Sequence, residues 1–245
     1  MFRIVIRNYI HETIRRKIVI EHYFRAGVRF LWNKPPDANG PLNGAIVGSL
    51  GMTTPMTYDG LDGHPALLDP IFLGIHVANV LGLAKGANVP YAWIDYAPGR
   101  IARLPIGVND ILSGYMSGCL IARGTYNGAM SAFHVGTIDN NPGVNRTVKQ
   151  AFAQALPADA TGFYPAAAWP PGEVALIQNR LGGTGDAGHI FALMTSAGAF
   201  YSILMFNVLE NSQWTNPAGR RYWCVGGIKA VPALNRVRLM ASLMS

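Results

Sequence analysis

The chain has 245 residues, half of them hydrophobic and only 13% charged, with a formal net charge of +7. That length supports one well-cored domain, and the composition excludes an intrinsically disordered chain. Its 28 glycines and 16 prolines point to many turns, as in β-rich folds, while two cysteines exclude a disulfide framework. The positive charge suits an acidic partner and plain solubility equally. The basic residues form no stripe of the kind that grips nucleic acid, so no nucleic-acid partner is expected. No Cys-x-x-Cys pair, His-Glu-x-x-His helix or calcium loop occurs, so neither a metal nor a cofactor is expected.

Residues 1–7 alternate apolar and basic and read as a short strand. Over 9–31, Ile10, Ile14 and Ile18 recur at helical spacing beside Arg15, Arg16 and Lys17. This predicts a basic amphipathic helix packed on the domain in preference to one lying on a membrane. Basic and apolar residues interleave with no continuous apolar run, so no signal peptide is expected. The Pro/Asn/Gly-rich stretch 33–44 forbids regular structure and sets a boundary. Residues 1–35 are then an N-terminal appendage and 36–245 a single catalytic domain.

Residues 44–52 read as a glycine-punctuated strand, and 53–65 as a long loop that carries His64. A buried helix is predicted from Ile71 to Lys85, started at Pro70 and stopped by Gly86, with His76 packed on it. Its uninterrupted apolar runs are too short to span a bilayer, so stable membrane insertion is not expected. Segments 91–97 and 101–106 flank Pro98-Gly99 and read as a hairpin. Asn109 and Asp110 then open the approach to Ser113; Asp110 suits a turn, ahead of a role in orienting an imidazole.

Residues 114–139 hold Cys119 and, fifteen positions later, His134. Asn127-Gly128 is a strong hairpin signal between two apolar runs. With the turn centred on 126–127, Cys119 and His134 become near cross-strand partners, with Cβ atoms about 5 Å apart. A thiol at that distance from an imidazole can be ionised and serve as a nucleophile. Gly118 would clear a substrate's approach and aim backbone N–H groups at an oxyanion. Read alone, Cys119 also fits a buried small hydrophobe, and His134 a satisfied core histidine.

Past an emphatic turn at 139–143, Asn145 is expected to cap a helix running to Leu156, with Val148, Phe152 and Ala155 on one face. Residues 157–172 read as a Pro/Ala-rich loop whose Phe163, Tyr164 and Trp169 either cover the core edge or meet a protein. Strands are predicted at about 173–181, 188–196, 199–208, 221–229 and 235–243. Cys224 falls on one of them and reads as structural. The glycine-rich 182–188 lacks the Lys-Ser/Thr of a phosphate loop. His189, directly after it, is the best rival to His134 as a base. Many short strands with few helices argue for an α+β fold, a β-sandwich of mostly antiparallel strands with flanking helices.

Met116-Ser117-Gly118-Cys119, Ala122-Arg123 and His134-Val135-Gly136-Thr137 together resemble the catalytic core of the cytotoxic necrotizing factor family. That family includes the single-domain Burkholderia lethal factor, and chemotaxis-receptor deamidases share its fold more distantly. The likeness covers about 25 residues, with Met116 where leucine is usual, a volume-conserving swap. It implies a sandwich with flanking helices and deamidation of a protein glutamine to glutamate, with Cys119 as nucleophile and His134 as base. Ser113 carries over as the orienting hydroxyl. The implied protein is a toxin or effector, secreted or injected and acting in the host cytosol as a monomer. Its partner would be a host protein, of small-GTPase or translation-factor helicase class, and transglutamination is a companion activity. The rival readings are a cysteine peptidase or amidase and a non-catalytic β-sandwich binding protein.

Overall fold

The computed structural model describes residues 20–60, 85–181, 187–209 and 221–245. The expected strand at 1–7, the first part of the expected helix at 9–31, nearly all of the one at 71–85, the glycine run 182–186, His64 and His76 lie outside them. Within the described residues the chain is mixed helix and strand, with two sheets and three α-helices.

One sheet has eight strands: β1 (Arg29–Leu31), β3 (Met56–Gly60), β4 (Asn88–Val89), β5 (Ala92–Trp93), β7 (Ile111–Gly114), β11 (His189–Met194), β12 (Phe200–Leu209) and β13 (Arg221–Ala230). Their spatial order is β4-β3-β1-β13-β12-β11-β7-β5. The other has six: β2 (Ile46–Gly48), β6 (Ile101–Pro105), β8 (Leu120–Tyr126), β9 (Ala129–Val135), β10 (Thr161–Phe163) and β14 (Leu234–Asn235), in the order β14-β10-β8-β9-β6-β2. Pairing is antiparallel throughout except for β2 with β6 and β5 with β7. The α+β sandwich-like architecture expected from the sequence is the one observed.

Period-two alternation sorts the side chains into layers. On β11, Phe191 and Leu193 enter an aromatic core with Phe30, Trp32, Trp93 and Trp223, while Ala192 and Met194 face the second sheet. There they meet Cys119, Ile121 and Ala132. The opposite face of β8 and β9, with Leu120, Ala122, Phe133 and Val135, is covered by two helices. These are α1 (Pro142–Ala155) and α3 (Arg236–Met244). The helix α2 (Pro171–Arg180) covers the far end of the eight-stranded sheet, where Ile177 packs with Leu204, Phe206 and Cys224.

Several expectations are corrected. The helix predicted to reach residue 31 does not do so: Arg29–Leu31 is a strand between β3 and β13. Phe24 and Phe30 are wholly buried in the same core, so the boundary near residue 35 does not separate residues 20–35 from the body. The loop at 53–65 contains β3. Segments 91–97 and 101–106 do not form a hairpin, because β5 and β6 belong to different sheets and Pro98-Gly99 is the corner between them. The stretch 157–172 holds β10 and a 3₁₀ turn at Pro165–Ala168; Phe163 and Trp169 are buried there and cover the core.

Two predicted strands are helices. At 173–181, Pro171 at the first helical position starts α2, and a short apolar run carries no periodicity strong enough to decide against strand. At 235–243, the Asn235 side chain accepts from the Arg238 N–H at 3.0 Å, and Leu239 and Leu243 make a one-turn buried stripe. The cap of α1 is Asn141, accepting from the Val144 N–H at 3.2 Å, with Pro142 first in the helix. Asn145 instead clasps the backbone of Ile138, accepting at 2.7 Å and donating at 2.9 Å.

Gly136 fixes the corner where β9 leaves the sheet. A Cβ there would lie 2.2 Å from the Ala97 carbonyl oxygen, a backbone atom that cannot swing aside. Gly136→Ala is expected to cost about 3 kcal/mol, the upper end of the overpacking range. Urea unfolding should show a lower midpoint at an unchanged slope.

Candidate active site

The β8–β9 hairpin turns on Asn127 (φ 50°) and Gly128 (φ 78°). Two successive left-handed residues make the two-residue turn whose twist matches its strands. Tyr126 therefore pairs with Ala129, and Ile121 pairs with His134. The turn centre lies one residue later than the sequence suggested, at 127–128. Cys119 consequently precedes the paired strand and stands diagonally from His134, two positions along from Ile121. Both still point to the inter-sheet side, since Cys119 and Ile121 share one cluster while Leu120, Phe133 and Val135 share the opposite one. Diagonal neighbours have Cα atoms about 7–8 Å apart, against about 5 Å between Cβ atoms for directly opposed pairs.

Ser113 reaches the imidazole from the other sheet. Its hydroxyl donates to the Ile94 carbonyl oxygen at 2.8 Å and lies 2.7 Å from His134 Nδ1. A hydroxyl has one proton, and a carbonyl can only accept it. The serine oxygen must therefore accept from Nδ1–H. This fixes the neutral tautomer with the lone pair on Nε2, an atom that is buried with no hydrogen-bond partner among the described residues. The face of the imidazole is packed by Tyr96, at 5.4 Å between ring centroids. Asp110 does not contribute; its carboxylate accepts from the Ser196 N–H at 2.7 Å and ties a loop, the turn-type role preferred for it.

Cys119 is 2% exposed, yet it lines a cavity of about 250 Å³ with Tyr96, Tyr115, Ser117, Thr137 and His189. Its sulfur receives the Thr137 hydroxyl at 3.6 Å and faces the Thr137 carbonyl at 3.8 Å. Ser117 donates to Asp139 at 2.6 Å at the mouth. A Cβ on Gly118 would come 3.4 Å from Thr137 Oγ1, against the hydroxyl that touches the sulfur. Gly118 does not occupy the left-handed region, so the backbone freedom expected of it is not used. Neither cysteine is in a disulfide, and Cys224 is buried beneath α2.

Burial dominates the electrostatics. It pushes the Cys119 thiol up to about 11, with the hydrogen bonds from Thr137 working against it. Burial also lowers His134 to about 3, helped by the Lys34 ammonium. The resting pair is therefore a neutral thiol and a neutral imidazole, not the thiolate–imidazolium pair expected from the sequence. Tyr96 is likewise raised by burial and by its proximity to Cys119, and its hydroxyl donates to the Thr137 carbonyl at 2.7 Å.

The two histidines weighed as bases are both here, in different places. His134 is wholly buried, whereas His189 is part of the cavity wall, its ring tilted against Tyr115 at 4.3 Å between centroids. Residues not anticipated include Tyr96, Tyr115 and Lys34. Lys34 lies in the loop taken as a linker, with its ammonium over the rings of Trp93 and Tyr115 and bonded to Asp37 at 2.8 Å. Nothing in spacing or periodicity marks a loop lysine for this position. Comparison of the chain with protein-family models, curated proteins and solved structures yields no significant match.

The depressed imidazole couples folding to pH. Unfolded chains bind a proton at His134 below its ordinary 6.5, while the folded protein resists until about 3. Stability held at neutral pH is therefore lost as pH falls through that window. Urea midpoints measured between pH 7 and pH 4 should decline, and His134→Gln should flatten part of the decline. An identical slope in the variant would refute the buried neutral imidazole.

Proposed function

We propose that the protein is a cysteine hydrolase that converts a glutamine side chain of another protein to glutamate. The observation that carries this reading is a cysteine at the wall of a small cavity, on the same sheet face as a buried histidine whose tautomer is fixed by Ser113. The cavity size supports a side-chain amide as substrate. At about 250 Å³ it falls below the range of about 300–1,000 Å³ usual for drug-sized ligands and suits one inserted side chain.

In this mechanism His134 Nε2 takes the Cys119 proton as the sulfur attacks the carboxamide carbon. Proton transfer accompanies attack, because burial disfavours both charged partners beforehand. The oxyanion is held by backbone N–H groups around Gly118 and Cys119, an interaction worth several kcal/mol in comparable sites. The imidazolium, steadied through Nδ1–H by Ser113, returns its proton to the departing nitrogen, and ammonia leaves. Water then attacks the thioester with His134 again as base, giving glutamate and the free thiol. An amine in place of water gives a transglutamination product. The new carboxylate adds a negative charge and removes two donors from the target. In a GTPase this would disable the glutamine that positions water.

Mass spectrometry of eukaryotic cell proteins treated with wild type or Cys119→Ser tests the proposal. We expect a gain of about 1 Da at particular glutamines, as amide-to-acid exchange requires, with wild type alone. Peptide cleavage would indicate a peptidase instead, and equal profiles would remove the nucleophile. Ser113→Ala should slow turnover about tenfold to a hundredfold by releasing the imidazole tautomer. Cys224→Ser should retain activity.

A further inference from the structure

The helix α3 is apolar on both faces. Leu239 and Leu243 are buried against α1 and the six-stranded sheet. The outward stripe, where a solvated helix places polar residues, is Val237, Ala241 and Met244 at one-turn spacing. Val237 is 75% exposed and Met244 64% exposed, so this stripe has no cover among the described residues.

The charges on the two helices are all of one sign. α3 carries Arg236 and Arg238, α1 carries Arg146 and Lys149, and neither helix has an acidic residue. A cleft of about 410 Å³ runs between the helices, with Arg146 and Lys149 contributed by α1 and Leu243 and Met244 by α3. An apolar stripe flanked by cations fits an interface that is anionic at its surface and apolar just beneath. Long basic side chains spread their heads into the polar layer while the stripe enters the acyl boundary. A polyanion with no apolar layer would satisfy the cations but leave Val237 and Met244 uncovered.

We propose that the α1–α3 layer docks on an anionic lipid surface. The contact is peripheral, since no described helix is long and apolar enough to cross a membrane. The layer covers the face of β8 and β9 opposite to Cys119 and His134. Docking there leaves the cavity of the candidate active site uncovered. The inference does not depend on the chemistry proposed for that site.

Co-sedimentation of the full chain with vesicles tests it. One set is phosphatidylcholine alone, and the other contains about 30 mol% phosphatidylserine, a composition with a negative surface potential. Binding is expected to the second set only, and to fall as salt is raised. The variant R146Q/K149Q/R236Q/R238Q should lose at least about tenfold in partitioning, as neutralising several surface cations implies. V237S/M244S should lose a comparable factor at unchanged charge. Circular dichroism and thermal midpoints verify that both variants fold. Equal binding to both vesicle sets, or no binding to either, would overturn the proposal. So would full binding by V237S/M244S, which would reduce the contact to charge alone. Retention on heparin without vesicle binding would assign the face to an acidic macromolecule instead.

Discussion

A single hydrogen bond, from His134 Nδ1–H to the Ser113 hydroxyl, joins the two sheets at the point where the candidate chemistry sits. Its donor is on β9 and its acceptor on β7, so each sheet supplies one member. The Ile94 carbonyl takes the serine proton and thereby leaves the oxygen only able to accept. Breaking such a bond strands a buried polar group at a cost of about 1–3 kcal/mol. The arrangement thus makes ring orientation, tautomer and inter-sheet register one constraint. Both side chains are buried, on the side of the sheets where Ile94, Ala102 and Ala132 cluster.

That buried setting explains why the resting thiol–imidazole pair is uncharged. Sequence reasoning weighed only the attraction between a thiolate and an imidazolium, and omitted the solvation both would surrender. Burial is the largest influence on both partners. The arrangement stores readiness in geometry, with a lone pair on Nε2 and a thiol at a cavity wall.

Much of the fold was readable because its signals are local. Asn127-Gly128 announces the hairpin, and Val148 with Phe152 announces α1. Strands β11, β12 and β13 have alternation long enough to identify. The errors cluster where one residue or a tertiary partner decides. Asn127, rather than Tyr126, takes the first left-handed position, and that one-residue shift turned an opposed pair into a diagonal one. Residues 173–180 and 236–244 are short apolar runs in which helix and strand are equally compatible with composition. Only a cap and a packing partner separate them. Ser113 was legible through the family likeness, not through its spacing. Tyr96 and Tyr115 reach the cavity from loops and Lys34 packs over Tyr115 from another, and no periodicity records such an approach.

The outermost strands are far shorter than the longest inner ones. Among the described residues, the eight-stranded sheet ends in β4 and β5, of two residues each, and the six-stranded sheet ends in β14 and β2, of two and three. Central strands such as β12 and β13 run to ten. A neighbour seeking to extend either sheet would find only a few unpaired amides at its rim, too few to template growth. Recruitment of another polypeptide by main-chain zippering is thereby discouraged, and encounters fall to side-chain surfaces.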